Sequence, residues 1–421
     1  MYQKTTLDNG LRLITHAMPH IRSVSICIFI GTGSRYETGA EAGVSHFIEH
    51  LLFRGTQKRP TSREISAAIE GTGGTLNAGT DKELTLYWCK VAQSHFLLAL
   101  DVLVDMLLHS RFDPQDLEKE RQVIVEEINM SWDSPQQRVN ILIDELLWPE
   151  HPLGRDTAGT KESIAAINRE AMVNYMARQY QPGNTVVAIA GNIQHQEALT
   201  AVSQALSNWT SQLPRSGYLT YQERPAQRLH IETRDTEQAH LCLALPALSL
   251  FHPKRFALNL LNVILGEGMS SRLFTEIRDK LGLAYSIHSH AEQLLDSGSF
   301  TIYAGVDPQN LQAAIKAILE QLSQLKETIP EAEISKAKEL AKGRLMLNIE
   351  DSRNVAGWLG GQEILIERIF DVDEITSIID AITARELKQL AHELLVSNQL
   401  RLAVVGPVSG NEPLEELLVI K

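Results

Sequence analysis

The 421-residue sequence predicts an α+β fold made of two duplicated halves, each an antiparallel sheet packed with helices. Three observations carry that prediction. Strand-like runs follow one another and then give way to runs of helix, instead of alternating strand by helix. The same succession occurs twice: laying Asp133-Ser134 on Asp351-Ser352 brings two long helical stretches and two closing strands into register. Between the repeats, 212–225 is polar, carries Pro214, Gly217 and Pro225, and has no hydrophobic period. The expected division is 1–211, a linker over 212–227, and 228–421.

Taken in order, the N-terminal residues read as a strand, a turn at Asn9-Gly10 and a second strand over Leu11–His16. Ser23–Gly31 alternates as a strand, and a helix is expected from about Val44 to Phe53. Thr61 or Ser62 caps another helix ending before Gly71-Thr72-Gly73-Gly74. Thr75–Val91 divides into two strands, followed by helices over Phe96–Leu108 and from Gln115 to about Met130. A strand over Thr185–Asn192 and a helix over Gln196–Leu206 close the first half. The second half repeats the pattern: strands near His240–Leu245, Ala284–His290 and Gly298–Val306, helices near Phe256–Leu265, Asn310–Leu325 and Glu331–Ile349, and a final strand over Leu400–Gly406.

Composition narrows the class. Apolar content of 43% with 22% charged residues is ordinary for a globular protein, and no run approaches the ~20 apolar residues of a membrane span. The first ten residues lack a signal core, so a cytoplasmic protein with no membrane partner is expected. A net charge of −13 disfavours nucleic acid. Cys27, Cys89 and Cys242 lie far apart without a C-x-x-C pair, which argues against a disulfide framework or a cysteine metal site.

The strongest local signal is His46-Phe47-Ile48-Glu49-His50. On a helix, residues four apart share a face, so both imidazoles can hold one metal ion. Glu49 stands beside them and can accept a proton from water at that metal. This is the inverted form, H-x-x-E-H, of the zinc-peptidase motif. A catalytic zinc takes three protein ligands, so a third is needed. The helix after Asp113-Pro114 offers Glu118, Glu120, Glu126 and Glu127; Glu120 and Glu127, seven apart, share a face, while alone the helix reads as a solvated acidic surface.

The segment His46–Thr56 resembles the active-site helix of the pitrilysin/insulinase zinc metallopeptidases, on the branch that contains mitochondrial processing peptidase and its bacterial relatives. The resemblance continues through 73–91, 120–134, 181–193 and 266–286. It implies the processing-peptidase type of two-half fold. The family's pattern of a Glu-Arg pair followed by valine falls on Glu120–Val123, and the resemblance makes Glu127 the third zinc ligand and Glu120 a supporting carboxylate. Glu126, about 100° around the helix, is rejected. The Gly73–Thr80 stretch, with Asn77 and Ala78, would lay the substrate against a sheet edge as an added strand; without the resemblance it reads as a glycine-rich hairpin. Arg278 would hold a substrate carbonyl and Tyr285 would stabilise the oxyanion, where Arg278 alone reads as a surface ion-pair residue.

What the resemblance implies is a zinc-dependent endopeptidase that hydrolyses unfolded peptides in an enclosed chamber. Zn²⁺ would be held by His46, His50 and Glu127, with Glu49 as general base. Two copies of the chain would form a homodimer. The second half has no H-x-x-E-H, and Leu345 stands where Glu127 stands in the first, so it would complete the chamber without a metal. The alternative reading is a non-catalytic scaffold or assembly subunit that keeps the motif.

Overall fold

The computed structural model describes residues 2–211, 213–224, 227–410 and 413–421. Its first sheet uses β1 (Tyr2–Thr6), β2 (Arg12–Ala17), β3 (Ser23–Ile30), β4 (Thr75–Thr80), β5 (Thr85–Ala92) and β6 (Thr185–Gly191). Between them run α1 (Val44–Leu52), α2 (Ser62–Glu70), α3 (Phe96–His109), α4 (Pro114–Asp133), α5 (Pro135–Leu147), α6 (Lys161–Ala166) and α7 (Arg169–Gln179), with α8 (His195–Leu206) after β6. The second sheet uses β7 (Leu229–Thr233), β8 (Ala239–Pro246), β9 (Ala284–Gln293), β10 (Gly298–Val306) and β11 (Arg401–Gly406). Its helices are α9 (Arg255–Gly266), α10 (Leu311–Glu327), α11 (Glu331–Asn348), α12 (Ser352–Ile366), α13 (Val372–Ala381) and α14 (Ala384–Leu394).

The duplication is visible in strand order. The first sheet runs β1-β2-β6-β3-β5-β4 and the second β7-β11-β8-β10-β9, the first having one extra edge strand. In each, one pair is parallel, β2 with β6 and β7 with β11, and the next three pairs are antiparallel. The sheets are mixed for that reason. Each pairs its closing strand with an early one, so neither sheet is complete until its repeat has been fully synthesised.

Alternation along β3 divides the first core. Ile26, Ile28 and Ile30 join Phe47, Leu51, Leu103 and Ile124 on one face. Cys27 and Phe29 face the other way and are covered by Val355, Ala356 and Leu359 of α12. In the second sheet, Leu241, Leu243 and Leu245 of β8 face α9, α10 and α14, while Cys242 and Ala244 are covered by Val139, Leu142, Ile143, Leu146 and Leu147 of α5. The two repeats have therefore exchanged a helix.

The compact units are accordingly interrupted in sequence. One consists of 1–128, 156–219 and 347–369, the other of 129–155, 220–346 and 370–421. This differs from the contiguous division into 1–211 and 228–421. The physical reason is the apolar face of α5: five side chains, each worth roughly 1.5–3 kcal/mol on burial, cover the bare face of β8 and β11. No element is expected from the sequence over 135–147, and the exchange appears only in the structure.

The expected linker 212–227 is also divided. Residues 212, 225 and 226 lie outside the described residues. Within the first unit, Gln179 donates to the Ser216 carbonyl at 3.2 Å, Arg215 to Gly31 at 3.1 Å and Arg35 to Leu219 at 3.1 Å. Arg35 also lies 4.1 Å over the Tyr218 ring. In the second unit, Tyr221 donates its amide to Asp296 at 2.9 Å and its hydroxyl to the Leu147 carbonyl at 3.2 Å. Most of this stretch is strapped down, not free.

Candidate metal centre

The site begins with the entry into α1. Gly43 takes φ +89°, and a Cβ there would come within 2.6 Å of the Ala158 carbonyl oxygen, so the turn requires glycine. Glu37, 4% exposed, accepts the amides of Gly43 and Ser45, both at 2.8 Å. It thus satisfies orphan donors at the positive end of the helix. Val44, Phe47, Ile48, Leu51 and Leu52 are buried on the core side. His46, Glu49 and His50 are left on the opposite flank, as the motif's spacing requires.

The two imidazoles meet edge to face, with Nε2 atoms 3.1 Å apart. Glu127 Oε2 stands 3.6 Å from each of those nitrogens. One ligand atom from each of the three residues lies within 4.8 Å of the others, and this is the one such cluster among the described residues. Glu126, next along α4, is exposed.

The donor set fits a zinc ion. Glu120, 1% exposed, bonds His50 Nδ1 at 3.0 Å through Oε2 and pairs with Arg54 through Oε1. As the acceptor of that bond, it places the His50 proton on Nδ1 and leaves the Nε2 lone pair facing His46 and Glu127. Burial, and then the neighbouring His50, pull His46 down to about 4, so its imidazole is neutral at pH 7 and free to hold a metal. For His50, burial works downward, but the Glu120 hydrogen bond and the charges of Glu127, Glu120 and Glu49 prevail and raise its pKa. Two nitrogens and a carboxylate oxygen, with a supporting acid behind one nitrogen, match a catalytic zinc set.

Glu49 sits beside this cluster. Thr80 Oγ1 donates to its Oε2 at 2.5 Å. Burial raises the Glu49 pKa, and the Thr80 bond opposes the rise without cancelling it. A raised carboxylate is a better proton acceptor near neutrality. Thr80, Arg54 and Glu37 were assigned no role from sequence. Arg54 and Thr80 fall inside two of the segments that carry the resemblance, 46–56 and 73–91, which is the only signal that could have found them.

Thr80 ends β4, the outer strand of the first sheet. Asn77 on that strand is exposed and Ala78 half-buried; Asn77 Oδ1 accepts the Ala78 amide at 2.8 Å. Beyond β4 no strand pairs among the described residues, so the edge is open. Arg278 and Tyr285 belong to the second unit and form a pair of their own. The Arg278 guanidinium lies 4.7 Å over the Phe274 ring and 5.2 Å over that of Tyr285, which is 75% exposed.

Fold and site together define a two-repeat α/β protein with an inverted zinc-peptidase helix in its first repeat. The sequence comparisons agree with that class. Residues 12–161 match the model for insulinase (peptidase family M16), and 166–340 match that for the peptidase M16 inactive domain. The chain belongs to the M16 (insulinase/pitrilysin) family. It is 38% identical over 416 residues to a protein of Bacillus subtilis called the uncharacterized zinc protease YmxG, covering 98% of this chain and all of that one. An uncharacterized zinc protease of Rickettsia bellii is 32% identical over 410 residues, covering 96% and 98%. Among solved structures, a protease from Helicobacter pylori superposes with a TM-score of 0.90 at 24% identity, over 97% of this chain and 99% of that one. A protein of Pseudomonas fluorescens described as a peptidase M16 inactive domain gives 0.90 at 18%, over 98% and 100%. These two likenesses concern the fold.

Proposed function

We propose that this chain is a zinc-dependent endopeptidase acting on extended, unfolded peptides. One observation carries the reading: His46 Nε2, His50 Nε2 and Glu127 Oε2 converge within 4.8 Å of one another, with Glu49 on the same helix flank. Zinc held there supplies Lewis acidity toward a carbonyl and lowers the pKa of water from about 15.7 toward ~7. Glu49 takes the proton of the attacking water and returns it to the leaving amine nitrogen. Thr80 donates to Glu49 Oε2 and holds the carboxylate in place for that transfer. Glu120 holds the Nδ1 proton of His50 and keeps the ring turned toward the ligand cluster.

The open edge of β4 supports a peptide substrate, since backbone groups there can bond an added strand while Asn77 and Ala78 line it. Arg278 is assigned to a substrate carbonyl and Tyr285 to the oxyanion, supported by the exposed phenol and the guanidinium beside it. Two copies of the chain form the working unit in this reading, for which sedimentation would give twice 46.9 kDa. No helix among the described residues is long and apolar enough to cross a membrane. The reading is tested by mapping cleavage products of a mixed peptide library with wild type and Glu49→Gln. Chelator-sensitive products from wild type and none from the variant are expected; no products from zinc-loaded wild type would contradict it.

A further inference from the structure

Helix α4 is unbroken from Pro114 to Asp133, yet the first compact unit ends within it at Ile128 and the second begins at Asn129. Glu127 lies beside that crossing. Its side chain is 39% exposed, against 19% for His46 and 17% for His50, so packing holds it least of the three. The fully buried residues of α4 are Leu117, Glu120 and Ile124, all upstream of it. Downstream of Glu127, Ile128 makes only a partly buried contact with the core, and further support for the helix comes from its far end.

That end is clamped. Trp132, half exposed, has the Arg138 guanidinium 4.4 Å from its ring centroid and that of Arg234 at 4.8 Å. Glu232 of β7 secures both cations, accepting Arg138 Nε at 2.9 Å and Arg234 Nε at 2.6 Å. Arg234 also donates to the Trp132 carbonyl, one of the last four in α4 that no helix amide can reach. A cation there also complements the negative end of the helix dipole. A tryptophan beside two guanidinium groups, both tied to one carboxylate, is a built clamp rather than a side chain left at the surface.

We propose that Trp132, Arg138, Arg234 and Glu232 position Glu127 for metal binding by fixing the C-terminal end of α4. Five residues separate Trp132 from Glu127, about 7.5 Å along the axis. Freed, the last turns of α4 would fray back to the ligand, because Met130 is exposed and no fully buried residue follows Ile124. The inference rests on the zinc-site reading above.

The test uses the full chain, with Zn²⁺ affinity measured by chelator competition and the visible spectrum of the Co²⁺-loaded protein as readouts. Trp132→Ala and Arg234→Gln should each weaken zinc binding by about 10–100-fold and alter the Co²⁺ bands, as loss of support behind a metal ligand does. Trp132→Phe, which keeps a ring beside the cations, should restore most of both. Arg234→Gln leaves the tryptophan in place and carries the test should the alanine variant not fold. Wild-type affinity and Co²⁺ bands in Arg234→Gln would overturn the inference. Glu127→Ala separates the two readings: if it keeps its zinc, the ligand assignment fails, whereas if it loses zinc while the clamp variants hold theirs, only the clamp fails.

Discussion

At the scale of single residues, three acids have separate duties in the proposed mechanism. In the proposed mechanism Glu49 moves a proton, so Glu49→Gln should retain one zinc per chain by metal analysis while turnover falls by about 10²–10⁴-fold. Glu127 is the proposed ligand and Glu126 is exposed, so Glu127→Ala should lose bound zinc and Glu126→Ala should not. The reverse pattern would move the ligand to its neighbour. Glu120 acts through His50, and Glu120→Gln should weaken zinc by about 10–100-fold without abolishing the site. His46, His50 and Glu49 were legible in the sequence because a helix makes their spacing a geometry. Glu127 was not legible in the same way. Four acids on α4 satisfy any local rule, and which of them stands near the histidines depends on how α4 packs, so the choice of Glu127 came from the resemblance alone. Thr80 was harder still, since a threonine at a strand end has no signature until the base it touches is in place.

At the scale of elements, the exchanged helices carry most of what the sequence concealed. Periodicity marks α4 and α11, and aligning Asp133-Ser134 with Asp351-Ser352 brings those two helices into register; α5 and α12, which begin just after these positions, were not expected. It could not show which sheet each following helix covers, because that choice is made by shape across hundreds of residues. Gly360 of α12 shows how tight the fit is: a Cβ there would meet the Phe29 ring at 2.2 Å. Gly360→Ala should therefore destabilise the fold by about 1–3 kcal/mol, read by chemical denaturation, although alanine favours helix. An unchanged or raised stability would mean that α12 is less closely seated on β3. The ion pair of Lys90 with Asp351, at 2.5 Å, ties the start of the same helix to β5. On the other side, burial pushes the Glu232 carboxyl up, but bonds from Arg138 and Arg234 outweigh it and hold the pKa below its ordinary value. A lowered carboxylate contributes stability above its unfolded pKa of about 4.3 and loses it as pH falls through the folded value. Glu232→Gln should remove that contribution at pH 7 and flatten the loss of stability in acid.

At the scale of the whole molecule, the proposed chemistry lies with one sheet and not with its repeat. The helix of the second unit that follows its first antiparallel strand, α9, has no histidine, and Leu345 occupies the place of Glu127. The description of the matched second-half model as an inactive domain agrees with this asymmetry. Zinc should bind one ion per chain and raise thermal stability, since a ligand of the native state at a hundred times its Kd adds about 2.7 kcal/mol. The most direct test of the account is cleavage of a mixed peptide library, read by mass spectrometry, by zinc-loaded wild type and zinc-loaded Glu49→Gln side by side. The account expects defined products from wild type, their loss on chelation and return with zinc, and none from a variant that still holds its metal. Equal product formation by the two proteins would contradict the role of Glu49; no products from either, with zinc bound in both, would contradict the peptidase reading and leave a chain that works by binding.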